Sequence, residues 1–145
     1  MKNKSFLLIL TIVTLAVMVL VGCQSFSKKP AISTPTADKA IITGRLINAT
    51  DGKPMSGILV RLAEVYRNDA GEGSYVLDQA LSPGTESDEN GYYVFENLTP
   101  GEFVLVLGDP LVKHLIISEP NSEKAKVWKV EPGKILDIGE LSVDF

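Results

Sequence analysis

Cys23 is the only cysteine of the 145-residue chain, and its surroundings decide what chemistry its thiol can do. It ends an apolar run, residues 6–21, which Lys2 and Lys4 precede. A positive start, an apolar core and small residues before a cut site are the parts of a secretory signal. Because the chain has no second cysteine, a disulfide within the domain is excluded, and packing alone must stabilise it.

The four residues Leu20-Val21-Gly22-Cys23 resemble the lipobox of bacterial lipoproteins. The resemblance implies that lipid, palmitate included, is attached at Cys23, that the chain is cut before it, and that the new N-terminus is acylated. A lipidated sulfur is a thioether, which can neither bind a metal nor act as a nucleophile. Since two or more acyl chains give a stable anchor, we expect a domain held outside the cytoplasm, on the cell membrane or the outer membrane.

Two alternatives to a lipoprotein signal stay open. One is an uncleaved transmembrane anchor, although the apolar run has 16 residues and a spanning helix needs about 20. Lys28 and Lys29 would also follow that span on its outer side, against the usual bias of positive charge toward the cytoplasm. The other is a plain secretory signal, which gives no reason for a cysteine at the cut site.

Composition divides the chain into a signal (residues 1–22), a lipidated cysteine with a flexible linker (23–38) and a domain (39–145). The linker is rich in serine, threonine and proline, and such segments behave as flexible or extended spacers. Once the two lysines of the signal are removed, 12 basic residues face 18 acidic ones. Because binding to phosphates depends on lysine and arginine, we expect no nucleic-acid partner.

The domain shows the alternation of apolar residues that is typical of half-buried strands. Ile42, Gly44 and Leu46 alternate with other residues, as do Phe103, Leu105 and Leu107 farther along. Turn sequences containing glycine or proline separate such segments at short intervals, and no window predicts an amphipathic helix. This pattern predicts an all-β sandwich or barrel with seven or eight strands.

Three motifs of the domain carry a resemblance to a known family. They are Ile42-Thr43-Gly44-Arg45-Leu46 followed by Asp51-Gly52-Lys53-Pro54, then Asp88-Glu89-Asn90-Gly91-Tyr92-Tyr93-Val94-Phe95, and finally Glu131-Pro132-Gly133-Lys134. These motifs resemble carboxypeptidase regulatory-like domains over about residues 40–143. The resemblance implies a Greek-key β-sandwich, transthyretin-like or immunoglobulin-like in outline, and a non-catalytic module, since no peptidase domain is attached.

Two polar features were weighed as reactive or metal-binding sites. Asp88-Glu89-Asn90-Gly91 begins like a calcium loop, but an EF-hand loop needs an acidic ligand near Thr99 and helices on both sides. A turn between strands explains it better, with Asn90-Gly91 accepting a positive φ. His114 is the only histidine, whereas enzymes on related folds use more than one. We therefore expect no catalytic residue, no bound metal and no cofactor; a weaker cation site that adds Glu86 or Asp51 from a neighbouring loop stays open as an alternative.

The rings that could stack on a sugar are those of Trp128, Tyr66, Tyr75 and Tyr92, and of these Tyr92 and Trp128 are the predicted ligand contacts. Tyr92 points away from Tyr93, which with Phe95 should fill the core, so Tyr92 is the better exposed of the pair. Trp128 alternates with Val127 and Lys129, and the sequence leaves its exposure open. A membrane-anchored binding or structural module of the cell envelope, making protein contacts, is the function we expect. A carbohydrate-binding module that uses these aromatic rings is the alternative.

Overall fold

Nine β-strands make up the regular structure of residues 29–144, the part of the chain that the computed structural model describes. The all-β fold with two facing sheets is confirmed, with one strand more than the eight predicted. The predicted signal helix and the start of the linker lie outside the described residues. The strands are β1 (Ala40–Asn48), β2 (Leu59–Arg67), β3 (Gly73–Val76), β4 (Gly84–Glu86), β5 (Tyr92–Leu98), β6 (Gly101–Asp109), β7 (Lys113–Ile116), β8 (Val127–Val130) and β9 (Ile135–Val143).

The smaller sheet has three strands in the order β5-β1-β9. β1 runs antiparallel to β5 and parallel to β9, so that Thr43 lies between Val94 and Asp137. Along β1, Ala40, Ile42 and Leu46 face the core, and the alternation predicted this for Ile42 and Leu46.

The larger sheet has six strands, although it is only four strands wide. β2 and β6 form its centre, and each pairs with two short strands along its outer edge. β4 pairs with the beginning of β2 and β3 with its end, whereas β8 pairs with the beginning of β6 and β7 with its end. The short β4 has no apolar alternation, and this explains why the sequence did not predict it.

The sandwich has two ends, which we call upper and lower. The chain passes from β1 to β2 and from β6 to β7 at the upper end. At the lower end it passes from β2 to β3 and from β5 to β6. A nine-residue strand such as β6 spans about 30 Å, so the two ends are well separated.

Side chains from both sheets interlock to form the core. Tyr93 and Phe95 lie edge to face, with ring centroids 6.1 Å apart. The turn at Pro100-Gly101 returns Phe103, Leu105 and Leu107 to the same core, as predicted. Burying each large side chain contributes about 1.5–3 kcal/mol, and the chain needs no disulfide for this. The buried core residues are Ala40, Ile42, Leu46, Val60, Leu62, Tyr93, Phe95, Leu98, Phe103, Leu105, Leu107, Trp128, Val130 and Val143.

The described end of the predicted linker, residues 29–38, contacts the outer face of the smaller sheet, and we call it the docked segment. Ser33 donates a hydrogen bond of 2.7 Å to Glu96 on β5, and Lys29 forms an ion pair of 2.5 Å with Asp137 on β9. The segment therefore crosses β1, which lies between those strands. Thr43 faces outward on β1 yet is fully buried, which is consistent with cover by this segment.

Candidate functional site

Cys23 lies outside the residues that the structure describes, so its lipidation remains a prediction. Lys29, six residues farther along the chain, is the first described residue. Its ammonium group lowers the pKa of the Asp137 carboxyl, chiefly through their hydrogen bond. Within residues 29–144 no helix is long and apolar enough to cross a membrane.

Tyr92 lies on the outer face of the smaller sheet, where Arg45 covers one side of its ring. The guanidinium carbon of Arg45 is 5.2 Å from the ring centroid, close enough for a cation–π contact. Arg45 is held there by the Asn90 carbonyl at 2.8 Å and by the Glu140 carboxylate at 3.0 Å. Tyr92 also lines a small cleft of about 200 Å³ together with Lys29. A ligand could therefore stack only on the ring face that Arg45 leaves free.

Trp128 lies in the core between the two sheets, with only 8% of its surface exposed. β8 places it beside Phe103 of β6, and the Lys126 ammonium group lies 5.3 Å from the ring centroid. Tyr92 is on an outer face, so the structure does not bring the two predicted ligand contacts together. The burial of Trp128 favours a packing role over sugar stacking.

The loop that begins like a calcium site is a turn. The Asp88 carboxylate accepts hydrogen bonds of 2.8 Å from the backbone N–H groups of Asn90 and Tyr92. Gly91 adopts φ +80°, and a side chain there would meet the Leu46 carbonyl oxygen. Among the described residues, no group of three or more His, Cys, Asp and Glu residues could hold a metal ion. His114 is exposed on β7, near the upper end.

A groove at the lower end is a candidate binding surface that the sequence did not predict. It has a volume of about 520 Å³, within the ~300–1,000 Å³ typical of ligand pockets. Its floor is formed by core residues, including Leu62 and Phe103, and its rim by the highly exposed Leu81 and Tyr66, which are 83% and 55% exposed. The lower-end groove is lined by Leu62, Glu64, Tyr66, Val76, Asp78, Leu81, Ser82, Pro83, Glu96, Asn97, Leu98, Thr99 and Phe103.

Three carboxylates line the lower-end groove, and each accepts a hydrogen bond from a neighbouring group of the protein. The Tyr66 hydroxyl donates a hydrogen bond of 2.8 Å to the Glu64 carboxylate, and this bond raises the pKa of Tyr66. Asp78 accepts from the backbone N–H groups of residues 80 and 81 at 2.8 and 2.9 Å, whereas Glu96 accepts from Ser33. The lining contains no lysine, arginine or histidine. The groove is therefore apolar at its floor and negatively charged at its rim.

The groove has a partial signal in the sequence. Glu64 and Tyr66 continue the inward alternation that Val60 and Leu62 begin, so polar side chains replace apolar ones where the core ends. That change marks the end of the core, but it does not show what lies opposite. Glu96 comes from β5 of the other sheet, 30 or more residues away. Only the fold brings these carboxylates together.

The chain is similar to known proteins only at low sequence identity. No family model matches the chain, and no curated protein matches it. Among solved structures, the major pilin subunit of Bacillus cereus is similar at 16% identity and a TM-score of 0.44, over 81% of this chain and 32% of that one. A DUF3823 family protein from Bacteroides uniformis is similar at 15% identity and a TM-score of 0.45, over 72% of this chain and 43% of that one.

A third similar structure is a protein from Pseudomonas aeruginosa with a proposed carbohydrate-binding role. Its identity is 13% and its TM-score 0.44, over 79% of this chain and 100% of that one. Domains of oxygenases also match, and the chain spans less than half of the first pilin structures it matches. One fold carries many functions. The strands and sheets of this chain themselves define its class, the all-β sandwich domains, and the function must be argued from the site.

Proposed function

We propose that this chain is a cell-envelope lipoprotein, anchored through lipid on Cys23, whose β-sandwich is a non-catalytic module that binds other proteins. The anchor rests on the sequence of the first 23 residues. It would place the domain outside the cytoplasm, on the cell membrane or on the outer membrane. The resemblance of the domain to carboxypeptidase regulatory-like domains supports a module without its own catalytic centre.

The lower-end groove is the observation that carries the binding function. Its floor belongs to the core, so binding can occur on a surface that is already formed. The polar groups of its rim take part in local hydrogen bonds, as Asp78 and Glu64 do. His114 lies toward the opposite end of the sandwich. These features suit recognition better than proton transfer.

Carbohydrate binding is a second candidate, and Tyr66 favours it. Its ring is 55% exposed at the groove rim, and its hydroxyl is hydrogen-bonded to Glu64. An exposed aromatic face beside carboxylates can stack on a sugar ring while the carboxylates accept its hydroxyl protons. This arrangement moves the predicted sugar contact from Tyr92 and Trp128 to Tyr66, which the sequence offered as one of several rings that could stack on a sugar.

Two measurements on intact cells test the proposed function. Labelling with an alkyne analogue of palmitate should modify the wild type and leave Cys23→Ser unlabelled. Crosslinking followed by mass spectrometry should then capture a discrete protein with the anchored wild type and lose it with Cys23→Ser. Equal labelling of both forms would contradict the anchor. Absence of any protein partner, with glycan binding that Tyr66→Ala abolishes, would favour the second candidate.

A further inference from the structure

We infer that the lower-end groove binds a lysine- or arginine-bearing segment of a partner protein. The inference rests on the proposed protein-binding function and adds to it the chemistry of the partner. Three features of the groove support it: a lining with three carboxylates and no basic residue, an apolar floor, and its position relative to the docked segment.

The charge of the groove is complementary to that of a cation. Glu64, Asp78 and Glu96 line it, and no basic residue does. The ion pairs among residues 29–144 engage other carboxylates, those of Asp51, Glu102, Asp137 and Glu140. A positive charge that enters the groove thus meets three carboxylates in a lining that contains no basic residue. Complementary charge of this kind favours one partner over others and speeds association.

The shape of the groove suits a long side chain with an apolar stem. Lysine and arginine place their methylene groups on apolar surface and keep the charged head at a polar rim. The floor at Leu62, Leu98 and Phe103 can receive the stem, while the carboxylates receive the head. The exposed Tyr66 ring offers a cation–π contact at the same rim. A volume of about 520 Å³ leaves room for neighbouring apolar side chains of the segment.

The docked segment runs from the groove rim toward the middle of the smaller sheet. Followed backward from β1, the chain meets the groove rim where Ser33 binds Glu96. It then reaches Asp137, which lies level with Thr43 near the middle of β1. Between Ser33 and Lys29 the described chain thus moves away from the groove. Its own Lys29 is paired with Asp137, so a separate protein is the better occupant.

The test uses the full-length lipidated protein in nanodiscs of phosphatidylcholine. The probe is a fluorescent peptide of alternating leucine and lysine, five residues long, and its counterpart has glutamine in place of lysine. Anisotropy should show binding of the lysine peptide that weakens as salt rises, with empty nanodiscs as the blank. The triple variant Glu64→Gln/Asp78→Asn/Glu96→Gln keeps the local hydrogen-bond acceptors and should bind about tenfold or more weakly.

A control triple, Glu89→Gln/Glu119→Gln/Glu123→Gln, removes the same charge from exposed positions outside the groove and should bind like the wild type. Equal losses in both triples, or equal binding of both peptides, would overturn the inference. So would binding of an oligosaccharide that Tyr66→Ala abolishes while no peptide binds. If crosslinking captures a Cys23-dependent partner that the groove triple still holds, the proposed function stands and this inference fails.

Discussion

The Tyr93 hydroxyl is buried between the sheets without a hydrogen-bond partner among residues 29–144. Its ring fills the space above Gly44, where a β-carbon would overlap the phenol. The glycine in β1 is therefore explained by the tyrosine of β5 that packs against it. A buried donor without a partner costs stability, and the ring's contribution to packing offsets that cost at this position.

Tyr93→Phe should stabilise the protein, and more so in alkali. Removing the unpaired hydroxyl should raise the free energy of unfolding by about 1 kcal/mol near neutral pH. Burial, and secondarily Asp137, raises the Tyr93 pKa above its usual value of 10.0. Above pH 10 the wild type therefore loses stability by ~1.4 kcal/mol per pH unit, because the tyrosine ionises in the unfolded state first.

Urea unfolding of the wild type and Tyr93→Phe between about pH 8 and pH 11 measures how the difference in their free energies of unfolding depends on pH. The other tyrosines are common to both proteins, so their titration cancels in the difference. A difference in free energy of unfolding that stays constant over this range would contradict a raised Tyr93 pKa.

Among the elements, the turn between β4 and β5 depends on close backbone contact. Gly91 has φ +80° and lies against the Leu46 carbonyl, with the Met55 nitrogen 3.3 Å from where a β-carbon would be. Gly91→Ala should therefore lower the free energy of unfolding by about 2 kcal/mol or more. Gly71→Ala is the matched control, because Gly71 has φ +81° and open space around it. Equal losses in thermal unfolding would mean that φ alone matters.

The docked segment is the element whose contribution the sequence understated. A protein beginning at residue 39 lacks it, whereas one beginning at residue 29 keeps both Lys29 and Ser33. The shorter form should unfold at lower urea concentration, by up to about 2 kcal/mol, because outward residues of β1 such as Ile41 become exposed. Identical urea midpoints would show that the segment contributes nothing to stability.

The local sequence pattern was enough to predict most of the strands. Alternation identified the core residues of β1, β5 and β6, because burial on one face imposes a period of two. It missed β4, which has three residues and no apolar pair. It also left the side of Trp128 undecided, since alternation on a four-residue strand does not say which face meets the other sheet. β1 begins at Ala40, and the domain boundary at residue 39 stays a prediction.

At the scale of the whole molecule, the sequence did not predict the features that depend on contacts between distant residues. The lower-end groove joins Glu64 of β2 to Glu96 of β5, and nothing local links those residues. The composition of the docked segment predicts a flexible spacer, yet Lys29 forms an ion pair with a residue of β9 and Ser33 a hydrogen bond with a residue of β5. Both depend on which strands become neighbours, and the sequence alone does not state that.

If Cys23 carries the anchor, we expect the upper end to lie nearer the membrane, because the docked segment runs in that direction from Ser33 to Lys29. Leu111 lies in the turn at the upper end and Asp69 in the turn at the lower end, and both are exposed. With Cys23 blocked by lipid, Leu111→Cys and Asp69→Cys would each offer a single thiol for a donor dye. Energy transfer to an acceptor lipid in vesicles should be stronger from position 111. Equal transfer, or stronger transfer from position 69, would contradict this orientation.

Docking of residues 29–38 also limits the distance that an anchored domain can move from its anchor. A free spacer of 15 residues could reach about 50 Å when extended, whereas the six residues from Cys23 to Lys29 reach about 20 Å. The volume open to the domain falls roughly with the cube of that reach. Its effective concentration for a neighbour in the same membrane therefore rises on the order of tenfold, so that a weak groove contact could suffice for stable association.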